Sequence, residues 1–500
     1  GIIMLLNIFD ALLAMLHWGP VFTMILGTTV GILLSALPGI SGTLGIALAI
    51  PFTYGMDPLS ALGLLAGIHN GASQGGAIPA ILLKIPGSPG AICTSWDGYP
   101  LAQQGKAGGA INLAAVSSAV GGVLSAIALI LLAPPLAQVA LSFGPAEIFW
   151  VNMFGLAAIA AMLGDDLLKG IMAACFGLLI ATVGLDSVTG AERYTFGSLN
   201  MLNGVPELAV MVGMFSFPPA WDLAAKVYKK GSVEFFAIVS EKIWKFSEVW
   251  LVWLKSSLIG IVIGILPGSA ISAFIAYNEA KRGSKTPERF GKGSIEGLAA
   301  AESVNNADNA AAMIPTLTLG VPGSNIAALM LGALLIQGFQ PGPQLFRDNP
   351  EIVYGYSWGM VITSLLLIPL GGALASRIFA PILKVPGILL LPLIVVIAAA
   401  GSFAAENSMF SVYMAVGFGV VGLAMNRFGF PIAPVIIGVV LGTKAESNLR
   451  VSLLISQGDY AILFQGLICW VLIALTLAVL AYPIISHFKG RKNRVAPAAG

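Results

Sequence analysis

Charge is what this 500-residue chain has least of. Only 10% of its residues are Asp, Glu, Lys or Arg, against 57% hydrophobic, and the mean hydropathy is +0.91. A soluble globular protein carries about 25% charged residues. So little charge cannot cover a water-facing surface, and the bilayer must be its solvent. Cysteine is scarce as well. Cys93, Cys175 and Cys469 are scattered in apolar runs without metal-ligand spacing and read as small apolar filler. The net charge of +2 comes with no basic patch on a polar face, which excludes nucleic acid as a partner. His17, His69 and His487 form no cluster, and only His69, beside Asn70, merits a test. No Gly-x-x-x-x-Gly-Lys-Ser/Thr loop is present to bind nucleotide phosphates. The first apolar run, Ile2–Trp18, lacks a basic leader and carries Asp10. It reads as an interfacial or first membrane helix rather than a signal peptide.

What the chain has in abundance is hydrophobic stretches of membrane-crossing length, about 20 residues each. They are plain at 19–37, 109–133, 146–163, 167–184, 355–375, 387–401, 408–425 and 461–485. With shorter, Gly/Pro-broken runs between them, roughly ten to fourteen membrane segments are expected. The chain also says nearly the same thing twice. Gly31–Gly39 (GILLSALPG) returns as Gly260–Gly268 (GIVIGILPG). His69–Pro79 (HNGASQGGAIP) is answered by Asn305–Pro315 (NNADNAAAMIP), and Ile85-Pro-Gly-Ser88 by Val321-Pro-Gly-Ser324. Duplicated, interrupted hydrophobic helices are the best sequence-level pointer to the binding site of a secondary transporter.

Between the repeats, 221–255 mixes lysines, carboxylates and aromatics, as an amphipathic interfacial helix does. This divides the chain into a first membrane repeat (1–220), an interfacial linker (221–255), a second repeat (256–460) and an extra C-terminal helix with a basic tail (461–500). The linker, the segment Lys281–Lys292 and the tail Lys489–Arg494 face the cytoplasm on the positive-inside rule. The segment Thr53–Asp57, which answers Lys281–Lys292 in the first half, is less basic. Inversion of the two repeats is therefore favoured over parallel duplication. The expected fold is an all-α polytopic membrane protein of two inverted structural repeats with broken or re-entrant helices.

Four Pro-Gly breaks could carry the chemistry: Pro38-Gly39-Ile40-Ser41-Gly42, Pro86-Gly87-Ser88, Pro267-Gly268-Ser269 and Pro322-Gly323-Ser324-Asn325. Proline ends the preceding helix and Ser or Asn caps the next one. Each new helix start offers free N–H groups and a partial positive charge of about +0.5, suited to a carboxylate. Asn70, Ser73 and Gln74 in the first half, and Asn305, Asn306 and Asn309 in the second, add amides where the helices are expected to be interrupted. Asp308 and Glu302 are the acidic residues nearest such a motif. Asp308, aligned with Ala72, is the ion-coupling candidate, holding Na⁺ or a proton. Asp97 is expected to form an Asx-type turn with Gly98, and Asp165-Asp166 a solvated interhelix turn.

At these motifs the chain resembles the large membrane subunit of the tripartite tricarboxylate transporter family. The residues that carry the resemblance are Leu37–Gly42, Ile85–Gly90 running into Thr94–Lys106, and Asn305–Asn309 through Ile314-Pro315 to Val321–Ser324, within a similarity spanning about residues 20–480. Ala270 stands where the first break has Gly42. The resemblance implies a permease of the bacterial inner membrane that takes up citrate and other di- or tricarboxylates, driven by Na⁺ or H⁺ symport. It also implies two partners, a small four-helix membrane subunit and a periplasmic solute-binding protein. No cofactor beyond a coupling Na⁺ is expected, and a homo-oligomer is left open. Likeness to elevator-type carriers suggests that the part holding the breaks moves against a scaffold. Three rivals stand beside this reading: a single-component carboxylate symporter, a passive channel, and an intramembrane aspartyl protease built on Gly164-Asp165 or Asp97-Gly98. The protease would need two facing carboxylates, and the channel a ring of pore charges that is not visible.

Overall fold

In the computed structural model, residues 2–37, 41–85, 89–162, 166–186, 189–226, 242–266, 270–372 and 387–494 are described. The chain is helical nearly throughout, apart from one two-stranded antiparallel ribbon. The first half runs α1 (Ile2–Met15), α2 (Trp18–Ala36), α3 (Gly42–Thr53), α4 (Pro58–Gly75), α5 (Ala77–Leu83), α6 (Ile92–Gln103), α7 (Ala107–Ala140), α8 (Pro145–Met162) and α9 (Leu167–Ala181). The ribbon of β1 (Gly184–Leu185) and β2 (Glu192–Arg193) follows, then α10 (Glu207–Lys226). The second half runs α11 (Phe246–Gly264), α12 (Ala270–Gly283), α13 (Ile295–Leu319), α14 (Asn325–Ile336), α15 (Pro343–Asp348), α16 (Pro350–Leu367), α17 (Gly387–Glu406), α18 (Met409–Arg427) and α19 (Ala433–Ile455). The final helix is α20 (Leu467–Arg494).

Each hydrophobic stretch read from the sequence falls on one of these helices. Among the described residues, five helices are long and apolar enough to cross a bilayer alone: Trp18–Ala36, Ala107–Ala140, Phe246–Gly264, Pro350–Gly372 and Met409–Arg427. Among the same described residues, seven shorter apolar helical segments accompany them. Large apolar side chains are exposed along the spans, among them Phe22, Leu131, Leu258, Val262 and Val420. Exposed apolar surface on this scale marks contact with a membrane or a partner. The protein is a multi-pass membrane protein.

Packing partners recur with the halves exchanged. α2 packs on α4, and α11 on α13. α7 of the first half packs on α13 of the second, and α16 of the second on α4 of the first. α3 meets α14, and α12 meets α6. α10 lies on α17 and α18, and α19 on α8 and α9. Small residues let the backbones come this close. On α2, Gly31 leaves no room for a methyl group beneath Ile68 O, and on α7, Gly121 does the same beneath Ser303 O.

Of the expected linker, 227–241 lie outside the described residues. Its two ends are helical. α10 reaches Lys226, and α11 starts at Phe246, where the Glu248 carboxylate accepts from the Lys245 N–H at 3.4 Å. Trp253 turns inward and donates to Ser117 Oγ at 2.8 Å, while Phe246 and Trp250 are exposed. At the far end of α19, Arg193, Asp186, Glu446 and Arg450 form one ion-pair network. Arg450 pairs with Asp186 at 2.5 Å and Arg193 with Glu446 at 2.6 Å, which fastens the ribbon to α19.

Candidate functional site at the crossing of α4 and α13

The amide motifs sit inside helices, not at breaks. His69–Gly75 is the last part of α4, and Asn305–Asn309 lies mid-way along the 25-residue α13. This corrects the expectation of unwound backbone there. The intrahelical ladder satisfies the main chain, so the amide side chains are free to pair between helices. They do so across the two halves. Asn309 Nδ2 donates to Asn70 Oδ1 at 3.1 Å, and Ser73 Oγ donates to Asn309 Oδ1 at 3.0 Å. Asn305 Nδ2 donates to Ser73 O at 3.1 Å, and Asn306 Nδ2 reaches Asn70 O at 3.5 Å. Asn70 also donates to Thr363 Oγ1 and Ser364 Oγ on α16, at 2.9 and 3.0 Å. Gln74 Nε2 donates to Gly371 O at 3.1 Å.

Of the four breaks, Pro38-Gly39-Ile40, Pro86-Gly87-Ser88 and Pro267-Gly268-Ser269 lie outside the described residues. Their flanks are described, and each touches the amide helices. Ser41 is the N-cap of α3, and the next residue, Gly42, abuts both Ala72 on α4 and Ile326 on α14. Gly90 sits against the Asn305 side chain. Ser272 Oγ, at the start of α12, donates to Asp308 Oδ2. The fourth break is described in full. α13 stops at Gly320 in the left-handed region (φ 70°), Pro322 and Gly323 are buried, and Ser324 caps α14 by accepting from Ala327 N at 3.1 Å. The first half ends α5 in the same way. Lys84 takes the left-handed conformation (φ 57°), and Ile85 N bonds to Pro79 O at 3.2 Å, as Val321 N does to Pro315 O at 3.3 Å.

Several residues here stay partly exposed among buried helices: Ser41, Ser73, Asn305, Asp308, Ser324 and Asn325. Four buried amide or carboxylate oxygens, all of them at this site, have no hydrogen-bond partner among the described residues: Gln74 Oε1, Asn306 Oδ1, Asp308 Oδ1 and Asn325 Oδ1. All four are acceptors. A buried unpaired acceptor is costly, and what relieves it is a donor or a cation, not an anion. The starts of α3 and α14, by contrast, present helix N–H groups, the kind of donor an anion accepts from. Among the described residues no group of three or more His, Cys, Asp or Glu gathers to hold a metal. A single carboxylate with oxygen neighbours, as at Asp308, is chemistry for a hard monovalent cation or a proton.

Two acidic residues have partners that the sequence did not foretell. Asp97 lies within α6, buried, instead of turning with Gly98. Its Oδ1 accepts from the N–H groups of Gly291, Gly293 and Ser294 at 2.8, 3.0 and 2.8 Å, and its Oδ2 from Tyr277 Oη at 2.7 Å. It thereby holds the start of α13 against the other half, a positioning role. Asp166 caps α9 by accepting from Leu168 N at 2.9 Å, as an interhelix turn residue does; Asp165 lies outside the described residues. His69 is buried in α4 with its Nδ1 unpartnered among the described residues. Cys93 and Cys469 are buried and Cys175 is exposed, and all three are free thiols.

The comparisons with known proteins bear on this arrangement. The family described as "Tripartite tricarboxylate transporter TctA family" matches residues 21–437. An "uncharacterized 52.8 kDa protein in TAR-I ttuC' 3'region" of Agrobacterium vitis is 34% identical over 481 residues, 94% of each chain. A second protein of the same organism, "in TAR-II ttuC' 3'region", is 34% identical over 238 residues, covering 47% of this chain and 98% of its own. No solved structure matches. The family match takes in α4, α13 and the flanks of all four breaks, and with it the chain belongs to the tripartite tricarboxylate transporter TctA family.

Proposed function

We propose that this chain is the large permease subunit of a secondary active uptake system for di- and tricarboxylate anions of the citrate kind. It works in the bacterial inner membrane, beside a small four-helix membrane subunit, and receives substrate from a periplasmic solute-binding protein. The observation that carries the reading is the gathering of the four break flanks around the α4–α13 amide crossing. The substrate carboxylates sit at the helix starts after the breaks, against Ser41, Ser88, Ser269 and Ser324. The coupling ion, Na⁺ or H⁺, sits at Asp308, whose neighbours supply oxygen acceptors and hydroxyls.

Exchange of packing partners between the halves supports two inverted repeats. The ends of the helices support it too. α3 ends beside the loop after α14, where Gln337 donates to Thr53 O, whereas α12 ends in the lysine-rich segment 281–292, which the positive-inside rule assigns to the cytoplasmic face. α10, α17, α18 and α19, with α8, α9 and α20, would form the scaffold against which the break-bearing part moves as an elevator. The test is uptake of labelled citrate into proteoliposomes that hold both membrane subunits, with purified binding protein outside and imposed Na⁺ or pH gradients. Uptake that needs a gradient but not the binding protein favours the single-component symporter. Flux that runs without any gradient dependence refutes coupling.

A further inference from the structure

A second carboxyl on α13 plays no part in the site described above. Glu302 is fully buried, whereas Asp308, six residues on, is partly exposed. Glu302 Oε1 accepts from Thr94 Oγ1 on α6, and Oε2 from Ser118 Oγ on α7 at 2.9 Å. A single carboxyl thus ties two helices of the first half to one of the second. Among the described residues it makes no ion pair and no cationic side chain neutralises it. The buried titratable groups on the elements packed around it are Cys93 and Asp97 on α6, His69 on α4, Tyr277 on α12, and Tyr354 and Tyr356 on α16; none is a lysine or arginine, and α7 carries none. An uncompensated carboxylate at membrane depth is expensive, and such groups mark ion and proton paths. The two hydroxyls around it both donate and accept, so they can serve the acid as well as the carboxylate.

The surroundings make this a lever. α7 and α13 approach so closely that Gly121 has no space for a side chain beneath Ser303 O, and Ser125 donates to Ala307 O one turn further on. That seam is firm. α6 joins it through Thr94 to Glu302 and, at the start of α13, through Asp97 to Ser294 N, and α6 is the helix that follows the Pro86-Gly87-Ser88 break.

We propose that Glu302 is a proton-carrying site: it takes up a proton from water with the substrate and releases it on the other side. Its change between acid and carboxylate alters how α6 is held to the α7–α13 seam. This rests on the permease reading, and its test has one readout that does not.

In infrared spectra of the purified chain, a protonated-carboxyl band declines as pH rises and is absent in Glu302→Gln. Asp308 and other carboxyls can contribute bands of their own, so the Glu302 band is read from the wild-type-minus-Glu302→Gln difference; a difference spectrum with no pH-dependent protonated-carboxyl band overturns the proton site, whatever transport does. In the proteoliposome assay without Na⁺, wild-type citrate uptake rises by up to about tenfold per pH unit on acidifying the outside, the limit for one titrating group. Glu302→Gln is flat with pH. Wild-type uptake that follows Na⁺ alone, or a Glu302→Gln variant that keeps the wild-type pH slope, overturns the proposal. Glu302→Gln is nearly isosteric and its amide can still bond both hydroxyls. Thr94→Val, which keeps the carboxyl, is the second variant: it moves the pH midpoint of the band, and an unmoved midpoint overturns the assignment. If the band is lost in Glu302→Gln but the wild type moves no carboxylate, the permease reading fails and the proton site stands.

Discussion

Replacing Asn70 by Leu tests whether the α4–α13–α16 junction is held by amide hydrogen bonds. The side chain donates toward Met360 O, Thr363 Oγ1 and Ser364 Oγ at 3.1, 2.9 and 3.0 Å, and accepts from Asn309 Nδ2 at 3.1 Å. An NH₂ group has two hydrogens, so two of the three acceptors are served at a time. Three bonds are therefore lost. An interhelical hydrogen bond in a membrane is worth about 0.6 kcal/mol on average, so the loss comes to about 2 kcal/mol. Leu has the same number and branching of side-chain heavy atoms as Asn, so no cavity opens. It gains nothing from burial, because the helix surface faces lipid or protein in both states. The partners are only partly stranded: Thr363 and Ser364 also donate within α16, to Gly359 O at 2.7 Å and Met360 O at 2.6 Å. Only the Asn309 amide is left without its acceptor. The cost therefore stays near the sum of the bonds and does not climb to that of an isolated buried polar group.

The control is Gln74→Leu, which removes a single donated bond to Gly371 O and an oxygen that is already unpaired. Its expected cost is about 0.6 kcal/mol. Reversible unfolding in mixed detergent micelles, read by circular dichroism, resolves this difference. A double-mutant cycle of Asn70→Leu with Asn309→Leu should return a coupling of about 0.6 kcal/mol and no more than about 1.7. If Asn70→Leu costs no more than Gln74→Leu, or the cycle is additive, the junction is not held as described.

Asp308→Asn should abolish gradient-driven uptake while the protein stays folded and inserted, with exchange at equal ion concentrations partly surviving; uptake near the wild-type rate removes Asp308 from the mechanism. Gly31→Leu forces a side chain into Ile68 O and should destabilise the protein by roughly 1–3 kcal/mol, whereas Gly55→Leu, where nothing lies within 4 Å, should be neutral in the same thermal melt. The hydrogen bond from Arg193 is the first cause that holds the Glu446 carboxyl below its ordinary 4.5, so the network's stabilisation is present above about that pH and is lost as pH falls through the lower folded value. The protection of the 184–206 amides, corrected for the intrinsic pH dependence of exchange, should fall on acidification in the wild type, by a tether of about 1 kcal/mol at most, and be already low and flatter with pH in Glu446→Gln. Spin labels at Phe246 and Trp250 should report interfacial depth, and bulk-water mobility at both would count against an anchoring role for this end of α11.

The parts of the site that were legible in the sequence are those that break a compositional rule. Pro-Gly pairs and amides are conspicuous in apolar runs because both are expensive there, and their recurrence in the same order needed no structure to see. Long helices followed from uninterrupted hydrophobicity. Hidden from the sequence was every feature that depends on a partner far along the chain. Asp97 followed by Gly98 has the local look of a turn, yet the loop leading into α13 presents the N–H groups of Gly291, Gly293 and Ser294, and the Asp97 carboxylate, 194 to 197 residues earlier in the chain, accepts from all three. That demand outweighs the local preference and keeps Asp97 helical. The amides misled in a similar way. Asn disfavours helix interiors only weakly, and a partner amide on the opposite half makes the interior the better place. Comparison of the halves gives information that neither half holds alone. Gly320 holds a left-handed stop that glycine adopts freely, and Lys84 holds the same stop at a steric cost. The backbone bond that follows is the same in both. A conformation kept in a residue type that resists it is imposed by its surroundings. In the sequence Lys84 and Gly320 each stand two residues before a Pro-Gly pair, so the duplicated motif brings the same stop to the same place in both halves.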